Sequence, residues 1–445
     1  MTEMFGTSGP APRVVLFNVA YSENVGDGVI AECMSQVLRA KGARVSVIDL
    51  SGRDGYGATT VRARALLLGA LACLPAPLRR WVVRAKLERT MRALAPSWDA
   101  LLRKADLAVI GGGNLFQDDD LNFPIKVAAA SRACARNGVP VRVHGVGVVP
   151  GWSDRARELF ATLDECGCAI AAVRDRESAA VWSREYGSSI ATTVVRDPGL
   201  LAADLLNEER PGAVRSQNWY RIGLGIIHPA VARHHAHAGA MVANADFFAA
   251  LAERMVENGW RVELCTNGAR DDHALAKRVF RSPRLEELRE EGLVTLARRP
   301  RTARDLVALV AGFDALVAHR LHALIVATGL GVPNVGLPWD DKVRRFYASI
   351  GRPEDVVSGS ADVERITSRV ASVLARPADG AAVERLRSEA RRSLEALLVP
   401  PHRIRKPLPA PVQRLAGQDH RLRAADPVRA RLRASRVAPF PPSNA

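Results

Sequence analysis

The sequence predicts an α/β protein: two facing Rossmann-like, doubly wound domains followed by C-terminal helices and a disordered basic tail. Three observations predict it. Short apolar runs alternate with helical patterns between Arg13 and Val195, and again between Ile222 and Gly351, the pattern of parallel strands joined by crossover helices. A polar, irregular stretch from Leu205 to Tyr220 separates the two series and reads as a linker. Polar and glycine-rich residues fall just after the apolar runs, where open parallel sheets bind their ligands.

Arg13 to Asn18 is apolar enough to be a buried strand. Val19 to Gly26 is a polar loop, and Gly28 to Lys41 an apolar-periodic helix ended by Gly42. Arg44 to Leu50 is the next strand. Val61 to Leu102 then breaks the alternation. It is helical in pattern, interrupted at Pro75 and Pro77, and holds eight Lys or Arg against one Glu between Val61 and Leu94. Leu78 to Leu87 has the form of a basic amphipathic helix, suited either to an anionic membrane surface or to packing on the domain with a solvated basic face. Strands follow at Asp106 to Ile110, Val139 to Val148, Ala169 to Val173 and Ile190 to Val195, with helices at Pro124 to Asn137, Ser153 to Cys166 and Ser178 to Tyr186. The second series has strands at Ile222 to Ile227, Arg261 to Cys265, Leu293 to Leu296, Ala315 to Ala318 and Asn334 to Gly336. Its helices are Asp246 to Asn258, Asp271 to Phe280, Thr302 to Gly312, Leu321 to Gly329 and Asp340 to Gly351. Helical patterns at Glu364 to Ala375 and Ala381 to Leu398 close the chain. The expected organisation is a domain over 13–204, a linker over 205–220, a second domain over 221–375, a closing helix over 376–399 and the tail over 400–445.

About half of the residues are apolar and a quarter charged, as in a globular protein. The start is polar, so no signal peptide is indicated, and no uncharged apolar run reaches the roughly 18 residues of a spanning helix. Six cysteines without framework spacing read as reduced thiols, and the expected location is the cytoplasm. The net charge of +16 raises nucleic acid as a partner, but half of that excess sits in the tail, where residues 400–445 hold ten basic and two acidic side chains without interleaved aromatics to stack on bases. Nucleic acid is therefore not expected as a partner. The His234–His237 cluster has no acid or thiolate near it in sequence, and no metal site is expected.

Five motifs fall after strands. Asn24-Val-Gly-Asp27 precedes a helix whose free N–H groups suit an anion or hydroxyl; Gly26 permits close backbone approach, and Asp27 is placed either to accept a proton or to cap the helix. Gly111-Gly112-Gly113-Asn114 suits backbone contact with a ligand, although it lacks the dinucleotide spacing because position 116 is Phe. In Val173-Arg174-Asp175-Arg176-Glu177-Ser178, Arg174 leaves a strand end, placed either for a ligand or for a buried pair with an Asp, and Ser178 is placed to cap the next helix; Arg196-Asp197-Pro198 reads as a structural turn. Ala318-His319-Arg320-Leu321-His322-Ala323 is the strongest. Arg320 offers a planar fork for carboxylate or phosphate, and His322 can exchange a proton near neutral pH. Lys342, in Trp339-Asp-Asp-Lys342-Val343, adds a cation on the same carboxyl-end surface.

In order and placement these motifs resemble the polysaccharide pyruvyl transferases, from about Val14 to Gly351. That family commonly shows Ser and Tyr where this chain has His319 and Trp339. The resemblance implies a GT-B-like fold and phosphoenolpyruvate as donor, with no further cofactor. It also implies a pyruvate ketal joined to two hydroxyls of one sugar in an exopolysaccharide, cell-wall glycan or glycolipid. The second domain would be the donor side, with His322 as acid and Arg320 and Lys342 gripping the donor. The first would be the acceptor side, with Asp27 helping to deprotonate a hydroxyl. Substrate contacts are expected from Asn24, Gly26, Gly112, Gly113, Asn114, Arg174, Ser178 and Lys342. The basic helix near Trp81 points to a lipid-linked acceptor and peripheral contact with an anionic membrane. A nucleotide-sugar glycosyltransferase of the same shape and a noncatalytic glycan- or membrane-binding relative are the alternatives. Against the first stands the lack of a clear acidic pair after the Arg320–Ala323 segment to hold a ribose.

Overall fold

Val14 to Asn18 are all buried, because this strand lies inside a parallel sheet covered on both faces. The computed structural model describes residues 10–57, 75–187, 189–206, 219–229, 244–357 and 362–399. The histidine cluster at 234–237, most of the expected linker, the start of the basic excursion and the tail lie outside the described residues.

The first sheet contains β1 (Arg13–Asn18), β2 (Arg44–Asp49), β3 (Leu107–Gly111), β4 (Val141–Val146), β5 (Ile170–Val173) and β6 (Ala191–Val194). Its order is β2-β1-β3-β4-β5-β6, and every pairing is parallel. The second contains β7 (Arg221–Gly225), β8 (Arg261–Cys265), β9 (Val294–Leu296), β10 (Ala315–Ala318) and β11 (Asn334–Gly336), in the order β11-β10-β7-β8-β9, again all parallel. The order reverses between β1 and β3 in one sheet and between β7 and β10 in the other. Crevices open at the carboxyl ends of strands where such reversals occur.

Thirteen α-helices are described: α1 (Gly26–Ala40), α2 (Ala76–Leu102), α3 (Asn122–Arg136), α4 (Asp154–Phe160), α5 (Arg176–Glu185), α6 (Ala245–Glu257), α7 (Arg270–Phe280), α8 (Glu286–Glu290), α9 (Ala303–Ala311), α10 (Leu321–Leu330), α11 (Asp341–Ser349), α12 (Val363–Ala375) and α13 (Gly380–Glu395). The starts of three of them matter here. α1 begins at Gly26 rather than Gly28, which puts Asp27 inside its first turn. α2 starts directly after Pro75, with Pro77 in its first turn, where the N–H is unpaired in any case. α5 is capped by Asp175, whose carboxylate accepts from Ser178 N–H; Ser178 is not the cap.

The two lobes share one hydrophobic core. Val14, Leu16 and Val37 of the first lobe join Leu306, Leu324 and Val326 of the second, with Leu394 of α13. The Pro198–Leu205 3₁₀ segment lies against α10 so closely that a Cβ on Gly329 would stand 2.3 Å from the Leu200 carbonyl oxygen. α13 returns to the first lobe: Arg387 and Arg391 both reach Asp204, and Arg142 donates to the Ala396 and Val399 carbonyls. Arg196 bonds Glu389 and the Ser349 carbonyl, a structural use that matches its reading as a turn residue. These contacts hold the carboxyl ends of the two sheets toward each other.

Candidate active site

The site begins where β1 turns into α1. Val25 occupies the N-cap without a side-chain bond, and its N–H instead crosses to the other lobe and donates to the Asn267 carbonyl at 2.9 Å. A Cβ on Gly26 would lie 2.5 Å from the His322 Cβ, so only glycine lets that histidine pack against the turn. Asp27, released from any capping duty, points at His322: its Oδ1 stands 3.4 Å from Nδ1.

The glycine turn after β3 forms the floor. Gly112 and Gly113 have φ of 75° and 70°, the left-handed region that glycine enters without cost. Gly113 passes close to Asp27, whose Oδ1 would be 3.3 Å from a Cβ there. Gly112 is a packing position, because a Cβ would meet Ile30 at 2.4 Å. Asn114 Oδ1 accepts from Arg174 Nη2 at 3.1 Å. Arg174 leaves the end of β5 and is nearly buried; its path exists because position 147 is glycine, where a Cβ would strike both Asn114 and Arg174.

The second lobe contributes the opposite wall. Arg320 is the N-cap residue of α10, and His322 sits in that helix's first turn. Arg320 forks its Nε and Nη2 onto Asp272 Oδ2 at 3.0 and 2.7 Å. Asp272 is fully buried, and its other oxygen accepts from His228 N–H. Arg320 is thus aimed and held by a buried acid. Lys342 lies in the first turn of α11; Asp340 caps that helix through Lys342 N–H and pairs with its ammonium at 3.2 Å. Trp339 Nε1 donates to the His319 carbonyl, so the two positions that depart from the family's usual residues touch one another, behind the site. His319 is buried against Phe248 and supports the wall.

Burial dominates the electrostatics. It pushes the Asp27 carboxyl up to about 6, while Arg53, Arg320 and Arg174 pull the other way. It pushes the His322 imidazole down to about 3, and Arg174, Lys342 and Arg320 add to that. Burial also lowers Lys342, opposed by Asp340, and raises Asp197, opposed by Arg174. Lost hydration and these cations therefore favour the neutral form of the His322 imidazole. Several buried polar atoms near these strand ends lack a protein partner, among them His322 Nε2, Asn24 Oδ1, Asn267 Nδ2, both amide atoms of Asn18 and Asp197 Oδ2. Buried polar atoms are normally bonded, so these are the groups a ligand or water would satisfy.

The fold brings Gly26, Asp27, Gly113, Asn114, Arg174, Arg320, His322 and Lys342 to one cleft. Ser178 stands apart: it is buried, and its hydroxyl accepts from Val148 N–H, supporting the loop behind Arg174. The sequence reading missed Arg53, Asp197 and Asp272. Asp197 stood in a motif that was read as structural. Asp272 had only a helix-start pattern to mark it, and nothing in the sequence marks Arg53. Among the described residues, no three His, Cys, Asp or Glu side chains gather into a metal-holding group, and no helix is long and apolar enough to cross a membrane.

Two parallel α/β sheets facing one another across a cleft built from strand ends define a GT-B-like protein. Solved structures agree on that class. The chain is similar to UDP-GlcNAc 2-epimerase from Methanocaldococcus jannaschii (TM-score 0.55, 11% identity, 87% of this chain and 99% of that one covered). It is also similar to a putative UDP-N-acetylglucosamine 2-epimerase from Listeria monocytogenes (TM-score 0.52, 10% identity, 87% and 96% covered). At such identities the likeness concerns the fold alone. A search of curated proteins gives no match. The sequence itself decides the family: the polysaccharide pyruvyl transferase profile matches residues 24–341, and the chain belongs to that family.

Proposed function

We propose that this cleft transfers the pyruvyl group of phosphoenolpyruvate onto two hydroxyls of one sugar in an exopolysaccharide, cell-wall glycan or glycolipid, releasing phosphate and leaving a ketal. The observation that carries this is the convergence of Arg174, Arg320 and Lys342, from both lobes, on the contact between His322 and Asp27. Three cations gathered beside this contact suit a small donor bearing both a carboxylate and a phosphate. No cofactor beyond the donor is called for.

The proton roles follow from the electrostatics. Burial, with Arg174, Lys342 and Arg320 adding to it, favours the neutral imidazole of His322. An anionic donor seated among them would offset their field and raise the basicity of the imidazole. Asp27, which keeps its proton to about pH 6, would share that proton across the 3.4 Å contact. Protonation of the donor's methylene carbon by His322 leaves a cationic carbon for the first hydroxyl to attack. That hydroxyl gives its proton to the Asp27–His322 pair. Loss of phosphate regenerates the cation, and the second hydroxyl closes the ring, its proton leaving with the phosphate. Asn114 and the Gly113 backbone, both from the first lobe, would orient the sugar.

The test is incubation with phosphoenolpyruvate and a panel of sugar acceptors, reading phosphate release and an acceptor mass gain of one pyruvate less one water. Calorimetric binding of a nucleotide sugar, with no binding of phosphoenolpyruvate, would sink the proposal.

A further inference from the structure

The long helix α2 packs along one face only. Leu87, Met91, Leu94, Trp98 and Leu102 recur at helical spacing and meet the first lobe's core, with Trp98 edge-on to Phe17 at 5.4 Å. This seam stops at Leu87. Upstream of it the core has run out: Val83 turns the same way as Leu87 and Leu94, yet is 43% exposed. On the opposite side Leu78 and Trp81, at i and i+3, point away from the protein, and the half-buried Val82 and Ala85 continue the apolar stripe at i+4 and i+7. Leu78 is 45% exposed, and Trp81, at 66%, is the most exposed large apolar side chain among the described residues.

Charge says what covers this stripe. Between Ala76 and Leu87 the sequence carries Arg79, Arg80, Arg84 and Lys86 and no acid; beyond it the exposed Arg89 and Arg92 outnumber the one exposed acid, Glu88. An aromatic and aliphatic wedge rimmed by cations is the composition of a helix lying in a lipid interface, where tryptophan sits at headgroup depth. A second copy of the chain docking on the same face would set these cations against themselves. We infer that the first three turns of α2 dock on an anionic lipid bilayer, with Leu78 and Trp81 entering the interface and the exposed Lys86, Arg89 and Arg92 contacting headgroups.

The docking face lies on the lobe that holds Asp27. Arg84 acts on the carboxylate of Asp118, in the loop after β3, and Arg53 acts on Asp27 itself. An acceptor sugar carried on a lipid would therefore arrive on the acceptor side of the cleft; this last step rests on the pyruvyl-transfer proposal, whereas docking does not.

Full-length protein is sedimented with vesicles of phosphatidylcholine alone and of three parts phosphatidylcholine to one part phosphatidylglycerol, with no substrate present. Binding is expected only to the anionic vesicles, weakened by salt, and the double variant Leu78→Ser/Trp81→Ser should lose about tenfold or more in affinity. Thermal melting of the variant should match the parent, because neither side chain joins the core. Absence of binding overturns the inference. So does binding that the double variant leaves unchanged, which would assign it to the basic tail, and so does a parent dimer that the variant converts to monomer. Because the assay needs no turnover, failure of pyruvyl transfer and failure of docking are read separately.

Discussion

Replacing Asp27 by Asn should make this protein more stable and nearly inactive at once. A carboxyl whose ordinary value is 3.8 and whose folded value is about 6 disfavours the fold once both states are ionised, by about 3 kcal/mol. The sign follows from proton counts. Between those two values the folded state binds more protons than the unfolded one, so the contribution to stability is fully present below 3.8 and lost as pH rises through 6. About 1.5 kcal/mol of the cost develops between pH 5 and 8. Asparagine mimics the protonated acid and never bears the cost. For a unit extending to Val399, the unfolding entropy is ~0.8 kcal/mol per degree, so the variant should melt about 2–4 °C above the parent at pH 8, and the gap should shrink toward pH 5. Transfer should fall by about 10²–10⁴-fold, the usual range for a positioned acid or base. Differential scanning calorimetry across that pH range, beside a phosphate-release assay, measures both. A variant less stable than the parent at pH 8, or one that keeps full activity, would refute the account of Asp27 as a buried and functionally retained acid.

Three other substitutions test the site's construction. Arg320→Ala leaves Asp272 buried without its partner and should cost about 3–5 kcal/mol in urea unfolding; Arg320→Ala with Asp272→Ala should recover part of that without restoring transfer. Gly26→Ala puts a methyl where the His322 Cβ stands; a displacement of ~1 Å at the proton-exchanging pair should lower kcat about 100-fold, with the circular dichroism melt little changed. Gly329→Ala meets the Leu200 backbone at 2.3 Å and should destabilise the joint between the lobes by about 1–3 kcal/mol, seen as a lower Tm at equal fold content.

Much of the fold was legible because parallel strands are apolar throughout and their helices carry a clear period. β1, β8 and β10 appear where the apolar runs lie, and the polar residues after them reach the cleft. Boundaries were harder. A two-residue difference at the start of α1 decides whether Asp27 caps a helix or faces His322, and local propensity does not distinguish these. Ser178 was misread for a related reason: Asp175, three residues before the start expected for that helix, was the better cap.

The sequence by itself determined the two-lobe α/β plan and the family, together with the chemical types after each strand, since these depend on local burial patterns and on motif order. Only the tertiary structure decided the pairings: His322 with Asp27, Arg320 with Asp272, Arg174 with Asn114. It also decided the protonation states, because a side chain's charge in a closed cleft is set by lost hydration and by neighbours brought from distant parts of the chain.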